Sequence, residues 1–258
     1  LTEMGIEREE QVVELTEQQF AILDLCIAMP KFSILGSAGC GKTYIAIEQA
    51  RRRAAAGDRV LFLCYNYGLS EYIRRRFEGF EQVEQLTIGT LHSLGNKLGM
   101  QGERGSGDGY WDSVLPDQLV VHLKNMPDEL KYDTVVIDEA QDFHADWWSV
   151  VIGALRDEDK GRIYAFGDIR QGIFRQATDI PLQQAKLHLD KNLRNALPIA
   201  QLAALCVEEP LDLIGLDGPP VQWVESTNEE AEAAANEEVE KLISQGWSLS
   251  DICVLTTG

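Results

Sequence analysis

The eight residues GSAGCGKT, Gly36–Thr43, constrain the fold of this chain more than any other stretch. They fit the pattern GxxxxGK[ST] and stand where that pattern works, after the apolar run KFSIL (31–35) and before helix-forming residues from Lys42 to Ala56 that end at Gly57. Short apolar runs recur at VLFLC (60–64), TVVID (134–138), RIYAF (162–166) and KLHLD (186–190), each the length of a buried strand. Between them LSEYIRRRF and ADWWSVVIGAL repeat apolar residues at helical spacing. Strand and helix in alternation predict an α/β fold, a parallel sheet with helices on both faces.

The chemistry follows from the same loop. Glycines let the backbone curl until its N–H groups face a β-phosphate, and the helix N-terminus adds a favourable dipole. Gly36, Ser37, Ala38, Gly39, Cys40, Gly41, Lys42 and Thr43 are therefore the candidate nucleotide-binding residues. Lys42 has the reach for the β- and γ-phosphates, and Thr43 offers its hydroxyl to Mg2+. The run TVVID delivers Asp138 at the carboxyl end of a strand, the edge at which ligands of such sheets bind. There Asp138 can hold Mg2+ through water, and Glu139 can orient and deprotonate an attacking water. Alone, two adjacent acids end a strand and cap a helix. Paired with the glycine loop, they predict hydrolysis of a nucleoside triphosphate.

At 258 residues and 45% hydrophobic, the chain has room for one large domain, or one domain and part of another. Its net charge of −19 argues against a protein that merely coats nucleic acid, since Lys and Arg supply most non-specific affinity. That charge is uneven: Glu208–Asp251 holds twelve acids against the one base Lys241, a net of −11, which leaves −8 for the rest. Basic clusters at Arg51–Arg53 and Arg74–Arg76 fit solvated helix faces. The five cysteines, Cys26, Cys40, Cys64, Cys206 and Cys253, form no CxxC pair and read as reduced structural thiols. No run approaches 18 apolar residues and LTEMGIEREEQ has no leader character, so the reading is cytoplasmic, with no membrane partner.

Five glycines within GMQGERGSGDG (99–109) rule out a strand or helix interior and mark a surface loop. From Leu197 the pattern changes to a helix reaching about Cys206, a GPPVQWVE strand, an Ala- and Glu-rich helix from Asn228 to Ser244, and a last strand, DICVLTTG. The expected division is a nucleotide-binding domain over 1–190, with a short 93–131 insertion carrying the glycine-rich loop. Residues 191–258 then begin a second α/β unit that is incomplete.

Several motifs in order extend this reading: LTEQQ (15–19), the glycine loop, TIGTLHSL (87–94), DEAQD (138–142), FGDIRQGIF (166–174) and LDKNLRN (189–195). Together they resemble the UvrD/Rep branch of superfamily 1 DNA helicases and translocases, whose Walker B motif reads DExQD, as Asp138, Glu139, Gln141 and Asp142 do. The resemblance implies a RecA-like P-loop NTPase that binds ATP with Mg2+ and moves along single-stranded DNA. Gln19 matches the glutamine that recognises adenine, which favours ATP over GTP; without that match, LTEQQ is a helix start capped by Thr16. Thr90 and His92 match residues near DNA, and Asn66, closing VLFLCYN, stands in the place of motif Ia. By the same resemblance, Gln141 matches the place where nucleotide state is linked to the nucleic-acid groove. Gln171 matches a γ-phosphate sensor, and Arg194 matches an arginine that reaches the γ-phosphate, where it stabilises charge developing in the transition state. Lys42, Glu139, Gln171 and Arg194 form the candidate catalytic set.

Departures from the family matter as well. After motif III, where the family carries an aromatic that stacks on a base, this chain has Phe174 and then Arg175, Gln176 and Ala177. In motif IV, Leu193 and Asn195 replace Tyr and Ser. These changes keep open a second class of function, an ATP-switched protein that binds a protein partner without unwinding DNA; Trp147 and Trp148 are its candidate partner surface, while the helical spacing of DWWSVVIGAL assigns at least one of them to the core. A third is a nucleotide-binding module that turns ATP over slowly in this form.

Overall fold

The computed structural model describes residues 22–24, 27, 29–36, 39–100, 110, 114–168, 186–189, 196–205, 218–227 and 229–255. The chain divides into two compact units, one of Leu15–Arg194 with Leu211–Ile214, the other of Leu1–Glu14, Asn195–Pro210 and Gly215–Gly258. In chain order the larger unit contains β1 (Lys31–Gly36), α1 (Lys42–Ala55), β2 (Val60–Leu63), α2 (Tyr67–Arg76), β3 (Leu86–Gly89) and α3 (Leu91–Lys97). After them come α4 (Leu115–Asn125), β4 (Thr134–Ile137), α5 (Trp147–Gly153), β5 (Arg162–Gly167) and β6 (Lys186–Leu189).

The strands form one sheet in the order β3-β2-β4-β5-β1-β6, and every pairing is parallel. One strand, β5, separates the loop strand β1 from the acid-bearing strand β4, with Ile34 beside Phe166 and Val136 beside Tyr164. This arrangement is RecA-like, and it sets the ends of β1, β5 and β4 side by side along the carboxyl edge.

Strand periodicity explains the two cores. Leu61, Leu63, Val135, Ile137, Ile163 and Ala165 face one side and pack with Leu94, Leu119, Trp147 and Val151 of the helices there. The alternate residues Phe32, Ile34, Val60, Phe62, Val136 and Phe166 face the other side, against Ile45 and Ala50 of α1, Ile73 of α2 and Phe77 just past its end. Both faces are covered, so the strands read as continuous apolar runs.

All five strands expected within 1–190 are present. The strand that pattern reading lacks is β3, LTIG, four residues closed by a glycine, which has little signal of its own and exists through its pairing with β2, Leu61 beside Thr87. The expected partner surface at Trp147 and Trp148 is overturned, because the two rings are only 1% and 4% exposed and pack on Phe143. The spacing of DWWSVVIG places both tryptophans on the inward side of α5, and burying two such rings outweighs any surface role. Of the 93–131 insertion, residues 101–109 and 111–113 lie outside the described residues, and α4 is the longest element of the remainder.

The smaller unit contains α6 (Leu197–Ala204) and α7 (Ala231–Ser244). The strands expected at GPPVQWVE and DICVLTTG do not form among the described residues, since 218–227 and 252–255 carry no ladder. A strand needs a neighbour for its backbone groups, and neither segment has one; Trp223 is left 79% exposed and Leu255 89%. Among the described residues, no helix is long and apolar enough to cross a membrane.

Candidate nucleotide site

The glycine loop leaves β1 at Gly36 and enters α1 at Gly41, whose left-handed backbone (φ 88°, ψ 14°) a side chain would strain. Gly36 is needed for a different reason: a Cβ there would lie 2.5 Å from Cys40 Sγ and 2.8 Å from the Leu189 carbonyl oxygen. No side chain caps the N-terminus of α1, and its first turn holds no acid, so the amides there are left for an anion. Lys42 is buried on the loop, its Nζ donating to the Gly36 carbonyl at 2.8 Å and lying 3.9 Å from Cys40 Sγ. Ser37 and Ala38 lie outside the described residues.

Across β5, the backbone N–H of Asp138 donates to the Leu63 carbonyl at 2.9 Å, which carries the ladder one residue past β4 and leaves the carboxyl fully buried. Its Oδ1 accepts from the Glu139 N–H at 3.1 Å, while Oδ2 has no hydrogen-bond partner. Burial, and then the charge of Glu139, push the Asp138 pKa up to about 6, against the pull of the Thr43 hydroxyl and of Lys42. The nearby Cys64 thiol is pushed up to about 12, chiefly by burial and then by Asp138. Cys40 is likewise raised by burial, with Lys42 opposing.

A buried carboxylate with an orphaned oxygen, drawn toward the Thr43 hydroxyl, fits one side of a Mg2+ shell. Among the described residues there is no group of three or more His, Cys, Asp or Glu able to hold a metal. Such a chain would take the ion together with phosphate oxygens, as Mg2+ sites of few carboxylates do.

Glu139 is half-buried, and its backbone is left-handed (φ 54°, ψ 46°), unlike every other described residue except glycines. The turn at Ala140–Asp142 that follows brings Gln141 back beneath it. Gln141 is 2% exposed; its Nε2 donates to Glu139 Oε2 at 2.7 Å, and its Oε1 accepts from the backbone N–H of Asp168 at 2.9 Å. One carboxamide therefore ties the end of β4 to the end of β5.

Sequence reading passed over Asp168, a buried acid one residue beyond β5, whose charge also acts on Cys40. Its one sequence signal is an acid directly after a buried strand, as Asp138 follows β4, and that signal gains meaning only from the place of β5 in the sheet. Asn66 is exposed and caps α2 through Leu69 N–H at 2.8 Å. Thr90 is buried and caps α3 in a reciprocal pair with Ser93, at 3.1 Å and 2.8 Å. His92 is half-buried and stands edge-on to Trp147 at 5.7 Å. Gln19, Gln171 and Arg194 lie outside the described residues. The loop residues, Asp138, Glu139 and Gln141 thus share one sheet edge, to which β3 and α3 add Thr90 and His92.

A search of curated proteins gave no match. Among solved structures, Pif1 helicase from Candida albicans is similar at 16% identity and a TM-score of 0.47, over 88% of this chain and 55% of that one. A structure of DNA unwinding at forked dsDNA by two coordinating Pif1 helicases follows at 18% identity and 0.45, over 74% and 48%. Unliganded Pif1 from Bacteroides sp stands at 18% identity and 0.40, over 74% and 45%. The chain spans about half the length of these structures. The profile of the AAA domain family matches residues 18–176, a span holding the glycine loop, Asp138, Glu139, Gln141 and Asp168. On that match, which takes in well over half of the chain, the protein belongs to the AAA domain family.

Proposed function

We propose that this chain is the ATP-binding part of a superfamily 1 DNA helicase or translocase, hydrolysing ATP with Mg2+ to move along single-stranded DNA. The observation that carries this reading is the Gln141 bridge. A simple hydrolase needs its general base held, and any neighbour can do that. Here the hold on Glu139 runs to the backbone of Asp168, the residue that opens the DIRQ stretch ending in Gln171. A displacement of that stretch therefore reaches the base through two hydrogen bonds.

In this mechanism Lys42 exchanges the Gly36 carbonyl for phosphate oxygens, and the open amides of α1 bind the anion with it. Asp138 Oδ2 and the Thr43 hydroxyl are the groups that would hold Mg2+, which when bound supplies neutralisation of phosphate charge. Glu139 accepts the proton of the attacking water. Gln19 reads adenine, while Gln171 and Arg194 sense and stabilise the γ-phosphate. Thr90, His92 and Asn66 border the DNA path. The DExQD residues favour the UvrD/Rep branch, and 191–258 begins a second lobe. Cys40, Cys64 and Cys253 as free thiols support a cytoplasmic setting.

The alternative of a protein-partner switch loses its surface with the burial of Trp147 and Trp148. The deciding experiment measures ATP turnover by the full-length protein with and without single-stranded DNA. Turnover rises several-fold on this reading; no change across DNA lengths and salt concentrations overturns it. Glu139→Gln retains ATP binding and loses turnover, and equal turnover in that variant removes Glu139 as the base.

A further inference from the structure

The strands β3, β2 and β4 are neighbours in the sheet, and the loops that leave their carboxyl ends meet around one ring. Trp147, the first residue of α5, is only 1% exposed. Its indole stands edge-on to Phe143 at 5.2 Å and to His92 at 5.7 Å, and it stacks with Tyr65 at 6.2 Å, the two planes 22° apart. These ring partners all follow strand ends. Tyr65 lies two residues past β2, His92 lies in the first turn of α3 after β3, and Phe143 directly follows the Ala140–Asp142 turn after β4. Phe143 is fully buried, whereas Tyr65 and His92 are half-buried. The cluster therefore runs from the protein surface to the turn that begins at Glu139.

That turn is short enough for the ring to act on it. The Asp142 N–H donates to the Glu139 carbonyl at 3.1 Å and the Phe143 N–H to the Ala140 carbonyl at 3.2 Å, so Phe143 and Glu139 belong to one hydrogen-bonded unit. In a close-packed interior a displaced ring displaces its neighbours, because no free volume absorbs the shift. On its other flank the same turn is tied to β5 through the two hydrogen bonds of Gln141. The loop after β4 is thus held from both sides, by hydrogen bonds toward β5 and by ring contacts toward β2 and β3.

Resting on the helicase reading, in which Thr90, His92 and Asn66 border the DNA path, we propose that Trp147 is a positioning residue for Glu139, setting the turn of the proposed base from the loops after β2 and β3. It acts through Phe143 and touches neither nucleotide nor the attacking water. A shift of the Tyr65 and His92 loops moves the indole, and the indole moves the turn.

The test uses Trp147→Leu, Trp147→Phe and Tyr65→Leu in the full-length protein. ATP turnover is measured without DNA and across a titration of a single-stranded oligonucleotide to its plateau, and ATP affinity is measured with a fluorescent analogue. Trp147→Leu is expected to lower the ratio of plateau to DNA-free turnover roughly two- to tenfold, the rate equivalent of one aromatic contact. The analogue's affinity and the half-saturating DNA concentration stay those of the parent. Trp147→Phe, which keeps a ring, restores most of the ratio, and Tyr65→Leu lowers it in the same direction. A purely structural role would reduce the folded fraction and both turnover values together, leaving the ratio alone. Where Trp147→Leu does not fold, Tyr65→Leu decides, since Tyr65 is only half-buried. If the parent is stimulated by DNA and the folded variants keep its ratio, or change only the half-saturating DNA concentration, the positioning role is overturned and the helicase reading stands. If the parent itself is not stimulated, the helicase reading has failed and the proposal falls with it.

Discussion

Asp138→Asn isolates the cost of holding the site ready for a cation. In the free protein the Asp138 carboxyl is fully buried with Oδ2 unpartnered, and its pKa is raised from 3.8 to about 6. Such a rise is worth about 3 kcal/mol at 1.36 kcal/mol per pH unit. The sign follows from linkage: between these two values the folded state binds more protons than the unfolded state, so stability falls as pH rises from about 4 to 6, and the loss is complete above that. Asparagine carries no charge and is free of this dependence. Its buried amide brings a cost of its own, about 1–3 kcal/mol for donors left unmatched, but that cost does not change with pH. The quantity to measure is therefore the difference in Tm between variant and parent at pH 8 and again at pH 4.5, without nucleotide or Mg2+. About 1 kcal/mol of the loss has already occurred at pH 4.5, so about 2 kcal/mol separates the two conditions; at about 2–4 °C per kcal/mol for a unit of this size, the difference should be larger at pH 8 by about 4–8 °C. Mg2+ with a non-hydrolysable ATP analogue should raise the Tm of the parent and do much less for the variant. Tm–pH curves that run parallel for the two proteins would refute the claim that this carboxylate is held at a cost.

Gln141→Ala removes both hydrogen bonds of the bridge and leaves the Asp168 N–H buried without its acceptor, a loss of about 1–3 kcal/mol in chemical unfolding. The same variant should bind ATP normally while its stimulation by single-stranded DNA weakens; an unchanged stimulation ratio would leave Gln141 a structural polar residue only. Gly36→Ala forces a Cβ against Cys40 Sγ and the Leu189 carbonyl, with an expected cost of about 1–3 kcal/mol and weakened ATP binding. Adding Cys40→Ala should recover part of that loss, because it relieves the thiol clash and leaves the carbonyl clash in place; no recovery would show that Cys40 is not what excludes the side chain.

The central strands β1, β2, β4 and β5 were legible because each is buried on both faces and therefore appears as an apolar run; β6, at the other edge, was read from KLHL although two of its four residues are exposed. For β3 the signal fails for the same physical reason: at the edge its residues are half-buried, and LTIG lacks the run that marks a central strand. The glycine loop and Asp138 were legible because phosphate chemistry demands particular residues at a fixed place after a strand. Asp168 was not singled out, since a lone acid after a strand gains meaning only when β5 is known to lie between β1 and β4. Thr90 and Asn66 illustrate the opposite case. A resemblance gives them a DNA role, while the structure gives each a local one as a helix cap, and the two roles are compatible only where the hydroxyl or amide has a donor to spare.

The question left by DEAQD is why its glutamine should be held so firmly. Glu139 has a left-handed backbone, a conformation that costs a non-glycine residue of the order of 1–3 kcal/mol. Two hydrogen bonds offset it: the Glu139 N–H to Asp138 Oδ1, and the Gln141 amide to Glu139 Oε2. The first ties the strained residue to the carboxyl proposed to hold the cation, and the second ties it to the end of β5. A change at either point alters how well the strain is compensated, and so the position of the proposed base. Strain of this kind makes a residue responsive to its neighbours, which a relaxed turn would not be. In this reading Gln141 is the group through which a movement after β5 reaches the water-activating carboxylate.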